Sequence, residues 1–249
     1  MFYDGMTAIG SGSTVGGIAT FSTATLAAGT HSIKATYAGD ASFKPSTGSV
    51  QQVVTFYPTT TSLSSSPNPS TYGQAVGLVA TVTSAVSGGA TGTVTFKNGT
   101  SVLGTTVLNG GMALLATTKL PVGSWQLTAT YNGDAQWGKS TSPAVTQVVN
   151  AAASGTSVVP STNPAYQGDS IRFTVTVTSS DTVPTGAVTL YDHKTALGTL
   201  NLSGGVANFN TSTLGTGGHR ITASYAGTGN ISGSSSATFT EHVHNTPKQ

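Results

Sequence analysis

The sequence predicts an all-β protein made of tandem β-sandwich domains, and three observations carry the prediction. The first is a repeat: Tyr37, Tyr131 and Tyr225 each follow Ala-Thr or Ala-Ser, precede Ala-Gly or Asn-Gly, and recur every 94 residues. A fixed period of that length means tandem domains. The second is alternation: Ser124 to Tyr131 switches between polar and apolar at each step, with His31, Ile33, Ala35, Tyr37 and His219, Ile221, Ala223, Tyr225 in the matching places. A period of two argues strands with one buried face. The third is punctuation, with Gly-rich turn signals about every 8–12 residues and no stretch of helical periodicity.

Taken in order, each copy reads as short strands joined by tight turns. Val76, Leu78, Ala80 and Val82 alternate in the middle copy, and Ile171, Phe173, Val175 and Val177 repeat the pattern one residue out of phase. The difference is absorbed by the next loop, which is one residue shorter between Ser180 and Gly186 than between Ala85 and Gly92, and loops are where length changes are tolerated. Thr93 to Phe96 and Ala187 to Leu190 follow as strands, the first ending in a turn that Asn98-Gly99 favours. Leu103-Gly104 and Leu197-Gly198 open the next short strand. Asn109-Gly110-Gly111 and Ser203-Gly204-Gly205 read as hairpin turns, after which Ala113, Leu115, Ala207 and Phe209 take inward positions. About seven strands in about 95 residues favour an immunoglobulin-like sandwich over a barrel.

Aligned on the repeat, Phe2 matches Phe96 and Leu190. The expected domains are therefore a partial sandwich at 1–56 that lacks its first two strands, then complete ones at 57–150 and 151–249, arranged end to end. Asn150 to Gly155 is the expected linker, and Phe56-Tyr57-Pro58 a stiffer junction. The opening reads as the middle of a repeat and carries no secretory signal, so a fragment of a longer array is expected. The exposed face of residues 1–56 would also suit a strand donor from a partner.

Asn68-Pro69, Thr91-Gly92-Thr93-Val94-Thr95-Phe96, Leu120-Pro121-Val122-Gly123 and Ala129-Thr130-Tyr131-Asn132-Gly133-Asp134 together resemble the bacterial Ig-like domain of group 3. The resemblance covers nearly the whole chain. It implies a secreted or cell-surface setting and a structural or adhesive role, and it supplies no catalytic residues. The third copy departs from the pattern, with Thr228 where Asp40 and Asp134 stand.

Charged residues make up 6% of the 249, against about 25% in ordinary domains, and the net charge is +2. The nine Lys and Arg are scattered, so no nucleic-acid stripe forms. Cysteine is absent, which removes disulfides and thiolate chemistry. No apolar run reaches membrane-spanning length, so no insertion of this chain into a membrane is expected.

The seven acids are Asp4, Asp40, Asp134, Asp169, Asp181, Asp192 and Glu241, and no two fall within ten positions of each other. Asp40 and Asp134 are the candidates for calcium, which wants six to eight oxygens, but the favoured reading is a turn closed by the side chain. No metal, cofactor or catalytic residue is expected. His31, Trp125 and His219 share one position and read as rings packed at a sheet corner, because Trp in the middle copy argues against metal or acid-base chemistry. His242 and His244 face one way but lack a third ligand. Phe43, Trp137 and Ile231 read as plugs at the end of a sandwich rather than as sugar platforms. Tyr3 and Tyr191, on the polar face of one strand, are the candidates for a glycan ligand. They would make the chain a carbohydrate-binding accessory module of a secreted hydrolase, the alternative to a non-catalytic structural or adhesive segment.

Overall fold

Apolar residues at every second position give each strand one face to bury, and in the computed structural model they bury it between sheets. Residues 1–86, 88–180 and 182–246 are described, which leaves Asp181 outside. In the first copy β1 (Phe2–Asp4), β2 (Thr7–Gly10), β3 (Gly29–Tyr37) and β4 (Ser46–Val54) form one sheet ordered β2-β1-β3-β4. The middle copy runs β5 (Thr60–Ser66), β6 (Ser70–Thr71), β7 (Val76–Thr83), β8 (Thr93–Asn98), β9 (Ser101–Val107), β10 (Met112–Thr117), β11 (Gly123–Tyr131), β12 (Ser140–Thr141) and β13 (Val145–Asn150). These divide into a sheet ordered β10-β7-β5 and another ordered β6-β13-β11-β8-β9, with β12 on β11.

The third copy repeats the plan with β14 (Ser154–Pro160), β15 (Ala165–Tyr166), β16 (Ile171–Ser179), β17 (Ala187–Asp192), β18 (Thr195–Asn201), β19 (Val206–Thr211), β20 (Gly217–Tyr225), β21 (Ser234–Ser235) and β22 (Phe239–His244). Its sheets are β14-β16-β19 and β15-β22-β20-β17-β18, with β21 on β20. The fold is an all-β immunoglobulin-like sandwich in tandem. The chain's contacts gather into two compact units, and the division between them passes through the middle copy.

Ile171, Phe173, Val175 and Val177 of β16 are buried with Val188, Leu190, Ile221, Ala223 and Tyr225 in one core. Val76, Leu78, Ala80 and Val82 are buried likewise in the middle copy, as are Val94, Phe96, Leu127, Ala129 and Tyr131. The Asn-Pro step at the start of each complete copy acts through its side chain. Asn68 accepts from Val148 N at 3.0 Å and donates to Thr146 O at 2.6 Å, and Asn163 does the same with His242 N and Thr240 O. A primary amide carries one donor and one acceptor side like a peptide unit, so it extends the last strand's ladder.

The first copy forms one sheet where each of the others forms two, and it departs from them in a further way. Residues 18–23, which align with β10, form no strand. In the other copies that segment's only sheet neighbour is β7 or β16, and without it the backbone has no ladder to join. Its side chains still keep their place. Phe21 stacks on Phe2 with ring centroids 5.6 Å apart, and a Cβ on Gly10 would run into the Phe21 ring. Leu115 lies against Gly104 and Phe209 against Gly198 in the same way, each pair 94 residues after the last. With one sheet uncovered, Phe2, Ile33 and Tyr37 are only half-buried and Ala35 is exposed.

The Asn150–Gly155 stretch is ordered rather than a loose linker. Ala152 is buried, its N–H donates to Asn230 O at 3.0 Å, and its carbonyl accepts from Ser232 N at 2.8 Å. Tyr57 makes the equivalent pair with Gln136 O and Gly138 N.

Phe173→Ala is expected to cost about 3–5 kcal/mol in denaturant unfolding, through lost transfer energy and the cavity left behind. Amide protection should fall in β16, β19 and β20 while that of β3 and β4 stays unchanged.

Candidate functional site

Each copy ends its tyrosine-bearing strand in a turn held by one side chain. Asp134 Oδ1 accepts from Gln136 N and Trp137 N, both at 2.8 Å, and Oδ2 accepts from Thr91 N at 2.9 Å and Thr91 Oγ1 at 2.6 Å. Burial acts to raise the Asp134 pKa, but these four donors outweigh it and hold the carboxyl well below the usual range. Burial first, and then the nearby Asp134 charge, push the Tyr131 phenol up to about 12. Asp40 repeats the turn with Ser42 N at 2.7 Å and Phe43 N at 2.8 Å, and accepts from Tyr37 Oη at 2.6 Å. The Tyr37 hydroxyl, followed by the two amides, lowers the Asp40 pKa.

In the third copy Thr228 Oγ1 takes over, accepting from Asn230 N at 3.3 Å and Ile231 N at 3.2 Å, while Tyr225 Oη donates to Thr185 O. A hydroxyl can replace the carboxylate because the task is to accept amide protons. Among the described residues no three His, Cys, Asp or Glu side chains come together as a metal-holding group.

The corner position holds a second polar device. His31 Nδ1 lies 2.7 Å from Asp4 Oδ2 and its Nε2 lies 2.7 Å from Ala27 O. His219 repeats this with Asp192 Oδ2 at 2.6 Å and Gly215 O at 2.8 Å. A carboxylate and a carbonyl can only accept, so both contacts of a ring are made as hydrogen bonds at once only when it is doubly protonated. The Ala27 carbonyl and then Asp4 raise the His31 pKa. Burial pulls the His219 pKa down, but Asp192 and then the Gly215 carbonyl overcome it and the net shift is upward. Asp192 also accepts from His193 Nδ1 at 2.8 Å. Trp125 has one donor, which reaches Pro121 O at 2.8 Å, four residues back as in the histidine copies.

Strand pairing sets one residue opposite each ring: Gln52 across from His31, Gln147 across from Trp125 and Glu241 across from His219. Gln147 is fully buried and its Nε2 donates to Pro67 O at 3.0 Å, Ser70 Oγ at 3.2 Å and Val148 O at 2.9 Å. Glu241 is equally buried, and neither carboxyl oxygen has a hydrogen-bond partner. Burial therefore raises its pKa, with the His219 charge opposing.

A corner ring read alone in the sequence gives no sign of its partners Asp4, Asp192 and Glu241. The signal was present: at the repeat period Asp4, Asn98 and Asp192 accompany His31, Trp125 and His219, so the residue becomes neutral where the ring does.

The aromatic candidates are placed separately. Tyr3 and Tyr191 are half-buried, and the Lys34 ammonium sits 4.8 Å over the Tyr3 ring. Trp137 and Ile231 are buried plugs, with Trp137 packed near Gly88 and 5.7 Å from the Tyr57 ring. Phe43 corrects the reading of three plugs, because it is 68% exposed. The first copy has no opposing loop or strand to close over it. His244 lies 6.2 Å from the Tyr166 ring, and His242 is exposed.

Compared with known families, the chain matches the bacterial Ig-like domain (group 3) at residues 1–55, 63–150 and 157–244. No curated protein matches it. Among solved structures it is similar to the fibronectin(III)-like modules of Clostridium thermocellum CbhA, at 18% identity over 74% of this chain and 94% of that one, with TM-score 0.32. It is similar to the BSP domain of a biofilm associated protein at 16% identity over 76% of this chain and 30% of that one, TM-score 0.26. The Yersinia pseudotuberculosis adhesin InvE matches at 17% identity over 72% of this chain and 58% of that one, TM-score 0.32. The chain thus spans less than two thirds of the last two.

Asp134→Ala is expected to destabilise the protein by about 1.5–3 kcal/mol in thermal or denaturant unfolding, since it removes charge-assisted bonds to backbone amides. Because the folded Asp134 pKa lies below its unfolded value, this contribution is present above the unfolded pKa. It is lost as pH falls through the folded one, so the variant should show a weaker acid transition. Calcium should leave the melting temperature of the unaltered chain unchanged, because amide and hydroxyl donors already engage both Asp134 oxygens.

Proposed function

The chain belongs to the bacterial Ig-like domain (group 3) family, and on that premise we propose that it is a non-catalytic structural and adhesive segment of a secreted or cell-surface repeat protein. Two complete sandwiches, 57–150 and 151–249, follow a partial one at 1–56, and together they space other domains from the envelope. The observation that carries this reading is the use of the polar groups. Asp40 and Asp134 hold their own turns, and Asp4 and Asp192 hold the corner histidines. These four carboxylates and the two histidines are engaged in holding the fold locally. The outward surface is rich in hydroxyls, as in the Thr95–Thr105 and Thr189–Thr199 pairs. Contacts of such a surface are weak singly and gain strength through multivalency.

A second reading, acceptance of a strand from a partner, is favoured by residues 18–23. Phe21 keeps its position over Gly10 while its backbone lacks a ladder neighbour, beside a groove of about 650 Å³ lined by Phe2, Ile9, Leu26, Ile33 and Val54. The occupant that fits is a strand of the β7 type, with small or branched apolar residues at alternate positions.

Two measurements test these readings. Beads that display many copies should be retained on a surface polymer that the single chain leaves at micromolar concentration. Firm retention of the single chain on an insoluble polysaccharide, abolished by Tyr191→Ala, would instead establish a carbohydrate-binding module. A peptide spanning Thr60–Thr83, added to the full chain, should raise amide protection in residues 18–23. Unchanged protection there at saturating peptide removes the strand-acceptor reading and leaves the structural one standing.

A further inference from the structure

Three positions recur at the repeat period, and the copies differ in how many of them can ionise. The third copy has Asp192, His219 and Glu241; the first has Asp4, His31 and Gln52; the middle has Asn98, Trp125 and Gln147. The set in the middle copy is neutral throughout, although its strands and registers match those of the third. Shape is thus kept while charge is removed.

We propose that the third copy is strengthened by acid at this corner, fastened by a doubly protonated His219 held between Asp192 and the Gly215 carbonyl beside the buried Glu241, and that the middle copy is insensitive to pH there.

The geometry requires the proton. A neutral imidazole has one donor, so deprotonation abandons either the 2.6 Å contact to Asp192 or the 2.8 Å contact to the Gly215 carbonyl. Glu241 acts in the same direction. Its carboxyl has no exposed surface and no hydrogen-bond partner, so the neutral acid is the form that burial tolerates. In the middle copy Gln147 is a permanently neutral group of the same length, and its amide nitrogen donates to Pro67 O and Ser70 Oγ.

The charged and titratable groups around His219 come from each element beside it. Asp192 lies at the end of β17 and is shared with His193 in the following turn; Glu241 faces His219 from β22. Arg220 and Lys194 line the opposite face with Thr222 and Thr238, and His242 points away from Glu241 near Gly218. Around His31 the carboxylate in contact is Asp4, the cross-strand neighbour is Gln52, and Lys34 lies over Tyr3 on the outer face.

Both His219 and Glu241 have folded pKa values raised above their unfolded ones. Such groups contribute stability that is complete below the unfolded value and fades as pH rises through the folded one. The expected order of acid strengthening is third copy, first copy, middle copy. A repeat array built this way would loosen one module at a time as its surroundings become alkaline.

The test uses the full chain. The His219 ring, titrated by NMR, should show a midpoint above the ordinary 6.5. Hydrogen exchange between about pH 5 and about pH 8, corrected for the intrinsic pH dependence of exchange, should show protection of β20 and β22 falling. The fall should be about tenfold for each unit by which the midpoint exceeds the unfolded value, while β11 and β13 keep theirs. The variant carrying Asp192→Asn, His219→Trp and Glu241→Gln installs the middle copy's residues and should flatten the third copy's profile. If that variant does not fold, the titration and exchange of the unaltered chain still decide. A His219 midpoint at or below 6.5, or protection of β20 that tracks β11 at every pH, overturns the proposal.

Discussion

Burial of one sheet's inner face under an opposing sheet is the constraint on which the rest of this structure depends. In the complete copies the opposing sheet is present, and Phe96, Leu127, Tyr131, Leu190, Ile221 and Tyr225 are shut away from water. In the first copy it is absent and the consequences spread outward. Residues 18–23 have no ladder to join, Phe43 is exposed, and the Phe21 ring stacks on Phe2 beside an open groove. A strand pattern is a promise of burial, and it is kept only where a partner surface exists.

Polar residues follow from the same constraint. A domain of this size with few charges and no disulfide relies on its turns being held in one conformation, and side chains do this by accepting backbone amides. Asp134 meets four donors and Thr228 two, so one corner is built with different chemistry in different copies. The histidine corners apply the same logic to carbonyls, which need donors. Trp125 supplies one, and His31 and His219 supply two. That second donor is what ties two of the three corners to a carboxylate, and through it to pH.

Much of this was legible in the sequence, because the repeat supplies its own comparison. Tyr37, Tyr131 and Tyr225 marked the copies, the alternation through Val76 to Val82 and Ile171 to Val177 marked the inner faces, and Asp134 was readable as a turn residue. The partners of the corner histidines were less legible, since Asp192 and His219 lie 27 residues apart and meet only when β17 pairs with β20.

What the sequence by itself determined is what local chemistry and period control: the strands of the complete copies, their inward residues and the turns that hold them. The tertiary structure alone decided three things. Residues 18–23 do not become a strand, the Ala152 segment is ordered, and Glu241 is buried without a hydrogen-bond partner. Each depends on what stands across a sheet or beyond a turn. Backbone hydrogen bonding and burial are satisfied between segments distant in the chain, and no local pattern records whether the second segment is there.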